Sequence, residues 1–362
     1  MKTNFSHLVA ILIILPTFFA CEPSRIEVSD TETNGNILIL NNGNWGGNDA
    51  EITTFNLKSK ETNAGAFFKA NGQHLGDLGQ DIINVNDDIY IAVNNSQIIF
   101  LTDHNLKIQK TIIAEADGNR LSPRSMVKGG EKIYVTYYEG YLGEIDPVAD
   151  HSVRTVKVGP SPEGVAYLDG KIYVANSGGA NYPNFDNTIS VVDASSFTQT
   201  STIEVNDNPN KIISHPSGKL YVTSYGNYGN MPAKLQVIDI ATESVSDTPY
   251  EGVYSIAAGS RDKLYILCGG YSTAGTVYVH DAAANTPYGK TPENLTPFVT
   301  DGTTFPNAYS ISADTDDNVY IGCSDYVNTG DVYIMDSTGR KSADFDSQGL
   351  NPICVINLSS TI

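Results

Sequence analysis

The sequence predicts an all-β fold, a seven-bladed β-propeller with four antiparallel strands per blade. Three observations carry that expectation: a short strand motif that recurs along the chain, a repeated acidic residue closing the following strand, and chain ends that complement each other.

The recurring motif is an apolar residue, a tyrosine, an apolar residue and a small or apolar residue. It reads IYIA from Ile89, IYVT from Ile133, IYVA from Ile172, LYVT from Leu220, LYIL from Leu264 and VYIG from Val319. ILIL from Ile37 is a seventh copy without the tyrosine. A period of roughly 40–50 residues made of short strands is the signature of propeller blades.

A second strand follows each copy and ends at Asp103, Asp146, Asp193, Asp239, Asp281 or Asp336, with Asn56 in the first copy. A side-chain oxygen there can accept from backbone N–H groups just ahead, so these residues read as turn formers. Before the central motif lies another strand, often led by proline: SPRSMV from Ser122, SPEGVA from Ser161, NPNKII from Asn208 and NPICVI from Asn351. The last has no central strand after it, and ILIL has no leading strand before it. The C-terminal strand therefore completes the first blade, which closes the ring and removes two sheet edges. No twelve-residue stretch has a helical period.

Residues 1–20 read as a signal peptide of lipoprotein type. Leu8 to Phe19 is apolar apart from Thr17 and too short to span a bilayer. Ala20-Cys21 matches a lipoprotein cleavage site, with Cys21 as the lipidation site, although Phe18 stands where leucine is usual. Residues 21–34 read as the lipidated cysteine and a polar tether, and 35–362 as the propeller. Expected localisation is the outer membrane, lipid-anchored and facing the cell exterior.

The formal net charge of −19 opposes binding to a phosphate backbone, so nucleic acid is not an expected partner. After Cys21 only Cys268, Cys323 and Cys354 remain, too few for a disulfide scaffold. Cys268 and Cys323 occupy equivalent places in adjacent blades and read as buried thiols rather than a disulfide.

Positions alike in all blades serve the blade; the divergent ones are free for function. The connections after the central strand diverge most, and six of the seven carry an aromatic. They span Asn41–Ala50, Val93–Gln97, Tyr137–Gly143, the twelve residues NSGGANYPNFDN between two strands of blade four, Ser224–Ala233, Cys268–Gly275 and Cys323–Gly330. In a propeller they share a face with the links into each innermost strand. Those links carry Gln80-Asp81, Arg124-Ser125, Glu163-Gly164, Asn210-Lys211, Tyr254-Ser255, Tyr309-Ser310 and Ile353-Cys354, which should ring the channel mouth. Aromatics gathered on one face with Asn and Ser donors suggest a ligand surface. The candidate ligand-binding residues are Trp45, Tyr138, Tyr141, Tyr182, Phe185, Tyr225, Tyr228, Tyr271 and Tyr326 from the loops, and Arg124, Glu163, Lys211, Tyr254 and Tyr309 from the mouth.

Catalytic signatures are missing. The six histidines occupy unlike places in the repeat and form no metal pattern; His280, inside a strand, reads as a packing residue. There is no G-x-S-x-G elbow or P-loop, and a single tryptophan argues against the tryptophan-per-blade docking of quinone-cofactor propellers. ADTDDN, Ala313 to Asn318, has carboxylates spaced as for calcium but sits where a tight turn is required, and reads as the turn. Asp81 and Glu163 could act as acid or base, yet nothing singles out a pair. The chain is expected not to be an enzyme, with no metal and no catalytic cofactor.

The Ala20-Cys21 signal, the strands IYVAN and DNTISVVD, and the approach SPEGVAY resemble YncE-like seven-bladed propellers over nearly all of Ile37 to Leu358. As an anchored propeller with long Tyr/Asn loops, the chain most resembles the BtuG-type lipoproteins of Bacteroidetes. The resemblance implies binding of cobalamin or a related corrinoid at the cell surface, and its delivery to a TonB-dependent, BtuB-like outer-membrane transporter that the lipoprotein covers. It supplies no short corrinoid signature, so no binding residue is carried over from it. The alternatives are a propeller that binds a protein or glycan at the same face, or a lyase- or lactonase-type enzyme.

Overall fold

The computed structural model describes residues 36–270, 273–288 and 295–360. The proposed signal peptide, Cys21 and the whole of the tether lie outside the described residues, as does Tyr271.

The strands form seven four-stranded antiparallel sheets. In blades two to seven the four strands follow one another in sequence, from Gly79–Val85 as the inner strand of blade two to Lys341–Asp346 as the outer strand of blade seven. Blade one is composite, as expected. Its inner strand is the C-terminal Pro352–Asn357, paired with Ile37–Asn41. Each inner strand packs on the inner strand of the next blade, and the ring closes where Pro352–Asn357 meets Gly79–Val85. A short helix, Ala66–Asn71, was not expected from the sequence; its buried Phe67 packs against Phe100 of blade two.

The recurring tyrosine has a packing role. Tyr90, Tyr134, Tyr173, Tyr221, Tyr265 and Tyr320 are all buried. Several reach the following blade. Tyr134 stacks on Tyr167 at 5.9 Å, the Tyr221 hydroxyl donates to the Ala282 carbonyl at 2.8 Å, and Asn357 donates to the Tyr320 hydroxyl at 3.4 Å. A large ring with a polar tip fills the wedge between two sheets, and in Tyr221 and Tyr320 the tip also finds a hydrogen-bond partner across it.

The repeated acidic residue is turn chemistry throughout. Asp103 Oδ1 accepts from the N–H groups of Asn105 and Lys107, Asp146 from Val148 and Ala149, Asp239 from Ala241 and Thr242, and Asp336 from Thr338 and Arg340. Asn56 does the same for Lys58 and Ser59. ADTDDN is likewise a turn, in which Asp314 Oδ1 accepts from the N–H groups of Asp316 and Asn318. Cys268 and Cys323 are buried free thiols. His280 is a packing residue, with Nδ1 3.2 Å from the Tyr250 hydroxyl and Nε2 3.2 Å from Asn285 Oδ1.

Candidate functional site

One irregularity builds the site. In every blade the pairing of the inner strand slips near its start. The shift falls between Gly79 and Asp81, Pro123 and Met126, Pro162 and Val165, Pro209 and Ile212, Val253 and Ser255, and Ala308 and Ser310. In blade one it falls opposite Leu40 and Asn41, between Pro352 and Cys354. Such a bulge leaves residues unpaired and re-aims their side chains. Six of the seven inner strands are also approached through a residue with positive φ: Leu78, Ser161, Asn208, Gly252, Asn307 and Asn351. Asn and Gly adopt that conformation at least cost, which accounts for four of the six.

The bulged residues line a cavity of about 320 Å³ at the channel mouth: Gln80, Arg124 and Ser125, Glu163 and Gly164, Asn210 and Lys211, Tyr254, Tyr309 and Ile353. Tyr225, Ser255, Ser310 and Ile311 complete the wall. A second recess of about 330 Å³ shares Arg124, Glu163, Asn210 and Tyr225 with the first and adds Ser177, Tyr182, Phe185, Asn208 and Tyr228.

Blades four to seven supply the aromatics of this rim. Tyr182 meets Phe185 edge-on at 5.8 Å, and Phe185 meets Tyr228 the same way at 5.6 Å. Tyr225 stacks on Tyr254 at 5.7 Å, and Tyr309 meets Tyr326 edge-on at 5.5 Å. Tyr182 and Tyr228 are each 70% exposed. Tyr228 and Tyr326 hold φ of 56° and 64°, a conformation that is an outlier for a bulky side chain.

Charged groups from blades three to five line the same mouth, among the aromatics. Arg124 binds Glu163 through Nη2 at 2.6 Å and Nε at 2.8 Å, and lies 5.4 Å from the centre of the Tyr138 ring. Burial pushes the Glu163 carboxyl above the usual range, opposed by the Arg124 guanidinium. Asp81 accepts from the Met126 N–H at 2.7 Å, the Ile82 N–H at 2.9 Å and the Ser125 hydroxyl at 3.3 Å. Burial raises its carboxyl, opposed by the Met126 N–H and the Lys211 charge, and burial lowers the Lys211 ammonium, opposed by Cys354 and Asp81. The Cys354 thiol is pushed up to about 11 by burial, so it is no ready nucleophile. Burial likewise lifts the Tyr225, Tyr254 and Tyr309 phenols, which stay neutral hydrogen-bonding groups at ordinary pH.

Of the residues singled out in the sequence, Arg124, Glu163, Lys211, Tyr225, Tyr254 and Tyr309 line the first cavity, and Tyr182, Phe185 and Tyr228 the second. Tyr326 and Tyr138 stand behind them, against Tyr309 and Arg124. Trp45 lines neither recess and is 80% exposed. Tyr141 also lines neither. Its segment, expected as a loop, is a turn of three residues between strands Lys132–Tyr137 and Tyr141–Asp146, and its hydroxyl donates to Asp117 at 2.5 Å. Ser177 and Asn208 were not singled out; Ser177 is the second residue of the long blade-four loop, and Asn208 stands just before the inner strand of blade five. Among the described residues no three His, Cys, Asp or Glu side chains cluster as a metal site.

No protein-family model and no curated protein matches the chain. Solved structures do. A quinoprotein alcohol dehydrogenase-like protein from Bacteroides thetaiotaomicron aligns with a TM-score of 0.65 at 12% identity, over 90% of this chain and 78% of that one. The likeness is one of fold, a β-propeller. Hydrazine synthase from Kuenenia stuttgartiensis aligns at 0.53 with 17% identity, over 69% and 74% of the two chains. The computationally designed protein Ika8 aligns at 0.54 with 9% identity, over 87% and 88%. One of these is named as an enzyme and another is a design, so the shared architecture carries no function by itself.

Proposed function

We propose that this protein is a lipid-anchored, extracytoplasmic binding protein of the outer membrane. Its loop face takes cobalamin or a related corrinoid and passes it to a TonB-dependent transporter. The observation that carries the proposal is the pair of adjoining recesses, walled by stacked tyrosines and by side chains with no partner of their own. Gln80, Asn210, Tyr225 and Ser255 line them, and their side chains make no hydrogen bond among the described residues. Rigid aromatic faces beside unengaged amides and hydroxyls suit a broad, flat ligand edged with amides. A corrinoid is larger than either recess. It would lie across the tyrosine rim with one projecting group inside the mouth. The sequence resemblance to BtuG-type lipoproteins supports the same ligand and the same receiving transporter.

We read the face as binding rather than catalytic, because both carboxylates at the mouth are engaged. Glu163 is held by Arg124, and Asp81 by two backbone N–H groups and Ser125. General acid–base work needs a group free to reach the substrate's proton.

The test is gel filtration of the purified protein mixed with cyanocobalamin. Visible absorbance is expected to travel with the protein peak. Protein that elutes colourless at micromolar concentration refutes the corrinoid reading. Capture of a membrane protein or glycan without any corrinoid would favour an interaction module at the same face.

A further inference from the structure

We propose that the floor of the channel mouth is an oxyanion subsite, in which the Lys211 ammonium receives a single phosphate or carboxylate group projecting from a ligand with no other negative group. For a corrinoid that group is the phosphodiester of its nucleotide arm, and this part of the proposal rests on the corrinoid reading. The subsite itself does not.

Four groups that carry charge at ordinary pH meet here, Arg124, Glu163, Asp81 and Lys211, beside the neutral Cys354 thiol, 4.0 Å from Asp81. Arg124 and Glu163 satisfy each other. Asp81 is held by the Met126 and Ile82 N–H groups and by Ser125, and it forms no ion pair with Lys211. The Lys211 backbone N–H donates to Thr223 at 3.1 Å, but its ammonium has no hydrogen-bond or ion-pair partner among the described residues, although it lines the cavity. What remains unengaged at the mouth is one ammonium with a collar of neutral groups, including the Tyr225 and Ser255 hydroxyls and the Asn210 amide. A half-buried ammonium without a partner is costly, and an oxyanion recovers that cost through charge-assisted hydrogen bonds.

The rest of the molecule narrows the ligand. A chain of net charge −19 repels polyanions at long range. A ligand with a single negative group pays little of that repulsion and keeps the whole local gain. The Tyr225–Tyr254 stack beside Lys211 then covers the uncharged part of the ligand.

The experiment has two arms. In the first, ³¹P line width of inorganic phosphate is followed as wild-type protein is added, with acetate as competitor. Broadening is expected with wild type and with Lys211→Arg, and its loss with Lys211→Met; Lys211→Gln serves if the methionine variant does not fold. No broadening with wild type, or undiminished broadening without the ammonium, overturns the subsite. Displacement by acetate at lower concentration than phosphate would assign the ligand group as a carboxylate. In the second arm, cyanocobalamin and dicyanocobinamide, which lacks the phosphodiester, are titrated calorimetrically. Lys211→Met is expected to weaken cyanocobalamin on the order of tenfold and leave dicyanocobinamide unchanged. Equal affinity of wild type and variant for cyanocobalamin overturns the placement of the phosphodiester on Lys211 and leaves the corrinoid reading intact. Phosphate broadening without binding of either corrinoid does the reverse.

Discussion

The two faces of this propeller follow different rules. On the turn face, each blade makes its hairpin turns with the same device, a side-chain oxygen of Asp or Asn accepting from backbone N–H groups just ahead. On the loop face, each inner strand has the same bulge but the residue in it varies, from Gln80 to Arg124 to Ile353, and only Tyr254 and Tyr309 share a type. Repetition on one face and divergence on the other separates the residues that hold the ring from those that meet a ligand. The contrast makes a firm demand: substitutions on the turn face should change stability and spare binding, and substitutions on the loop face should do the opposite.

The largest effect is expected at Asp314. It is buried, and it accepts from the Asn318 amide at 2.9 Å, the Tyr320 hydroxyl at 2.7 Å and the Asn357 amide at 2.8 Å, besides its two turn N–H groups. Asn357 belongs to the C-terminal strand, so this one carboxylate joins blade seven to the closure of blade one. Asp314→Ala strands several buried donors at once and should cost about 3 kcal/mol or more. Urea unfolding followed by tyrosine fluorescence measures it. Ligand affinity of the folded fraction should stay unchanged, and a variant that loses affinity while keeping its unfolding midpoint would break the contrast.

A comparable effect should come from acid. Burial lowers the His280 imidazole to about 4, so the ring is neutral in the folded protein at pH 7. In the unfolded chain the same ring takes up a proton near 6.5. Between those two values the unfolded state binds the extra proton. The stabilisation is therefore complete above 6.5 and lost as the pH falls toward 4, by on the order of 3 kcal/mol. His280→Gln should remove that part of the pH slope. Thermal melts of both proteins at pH 7, 5.5 and 4.5 check this, and parallel slopes would contradict it.

How much of this was legible in sequence follows the same division. The Tyr motif, the turn residue and the complementary ends are repeated signals, and they yielded seven blades and the composite blade one. The mouth residues could be named because the repeat registers one blade on another. The bulge could not be read, because a slip in pairing depends on the partner strand and leaves no mark on composition. The loop expected around Tyr141 is a strand start for a related reason. A turn of three residues after Tyr137 returns the chain to pairing at once, and the sequence YYEGYLG looks as loop-like as its longer counterparts. The helix Ala66–Asn71 is too short for its period to be visible.

The smallest expected effect on stability tests the loop face most sharply. Tyr228 holds a left-handed backbone that glycine adopts freely and that a side chain adopts at a cost. Its ring meets Phe185 edge-on, and its hydroxyl accepts weakly from the Asn208 amide at 3.4 Å. Tyr228→Ala keeps the backbone cost and loses both contacts. Tyr228→Gly loses the same contacts but relieves the cost, so it should be more stable than the alanine variant by about 1 kcal/mol and lie close to wild type. Ligand binding should not make that distinction: both variants remove one exposed ring from the rim and should weaken corrinoid binding about equally, by roughly tenfold if Tyr228 is an anchor of the site. Chemical denaturation and calorimetric titration of the pair separate the two quantities. If binding followed stability, with glycine restoring affinity as it restores the fold, Tyr228 would be a packing residue of its loop. If affinity falls in both while stability rises in one, the strained backbone is maintained to present the ring to the ligand.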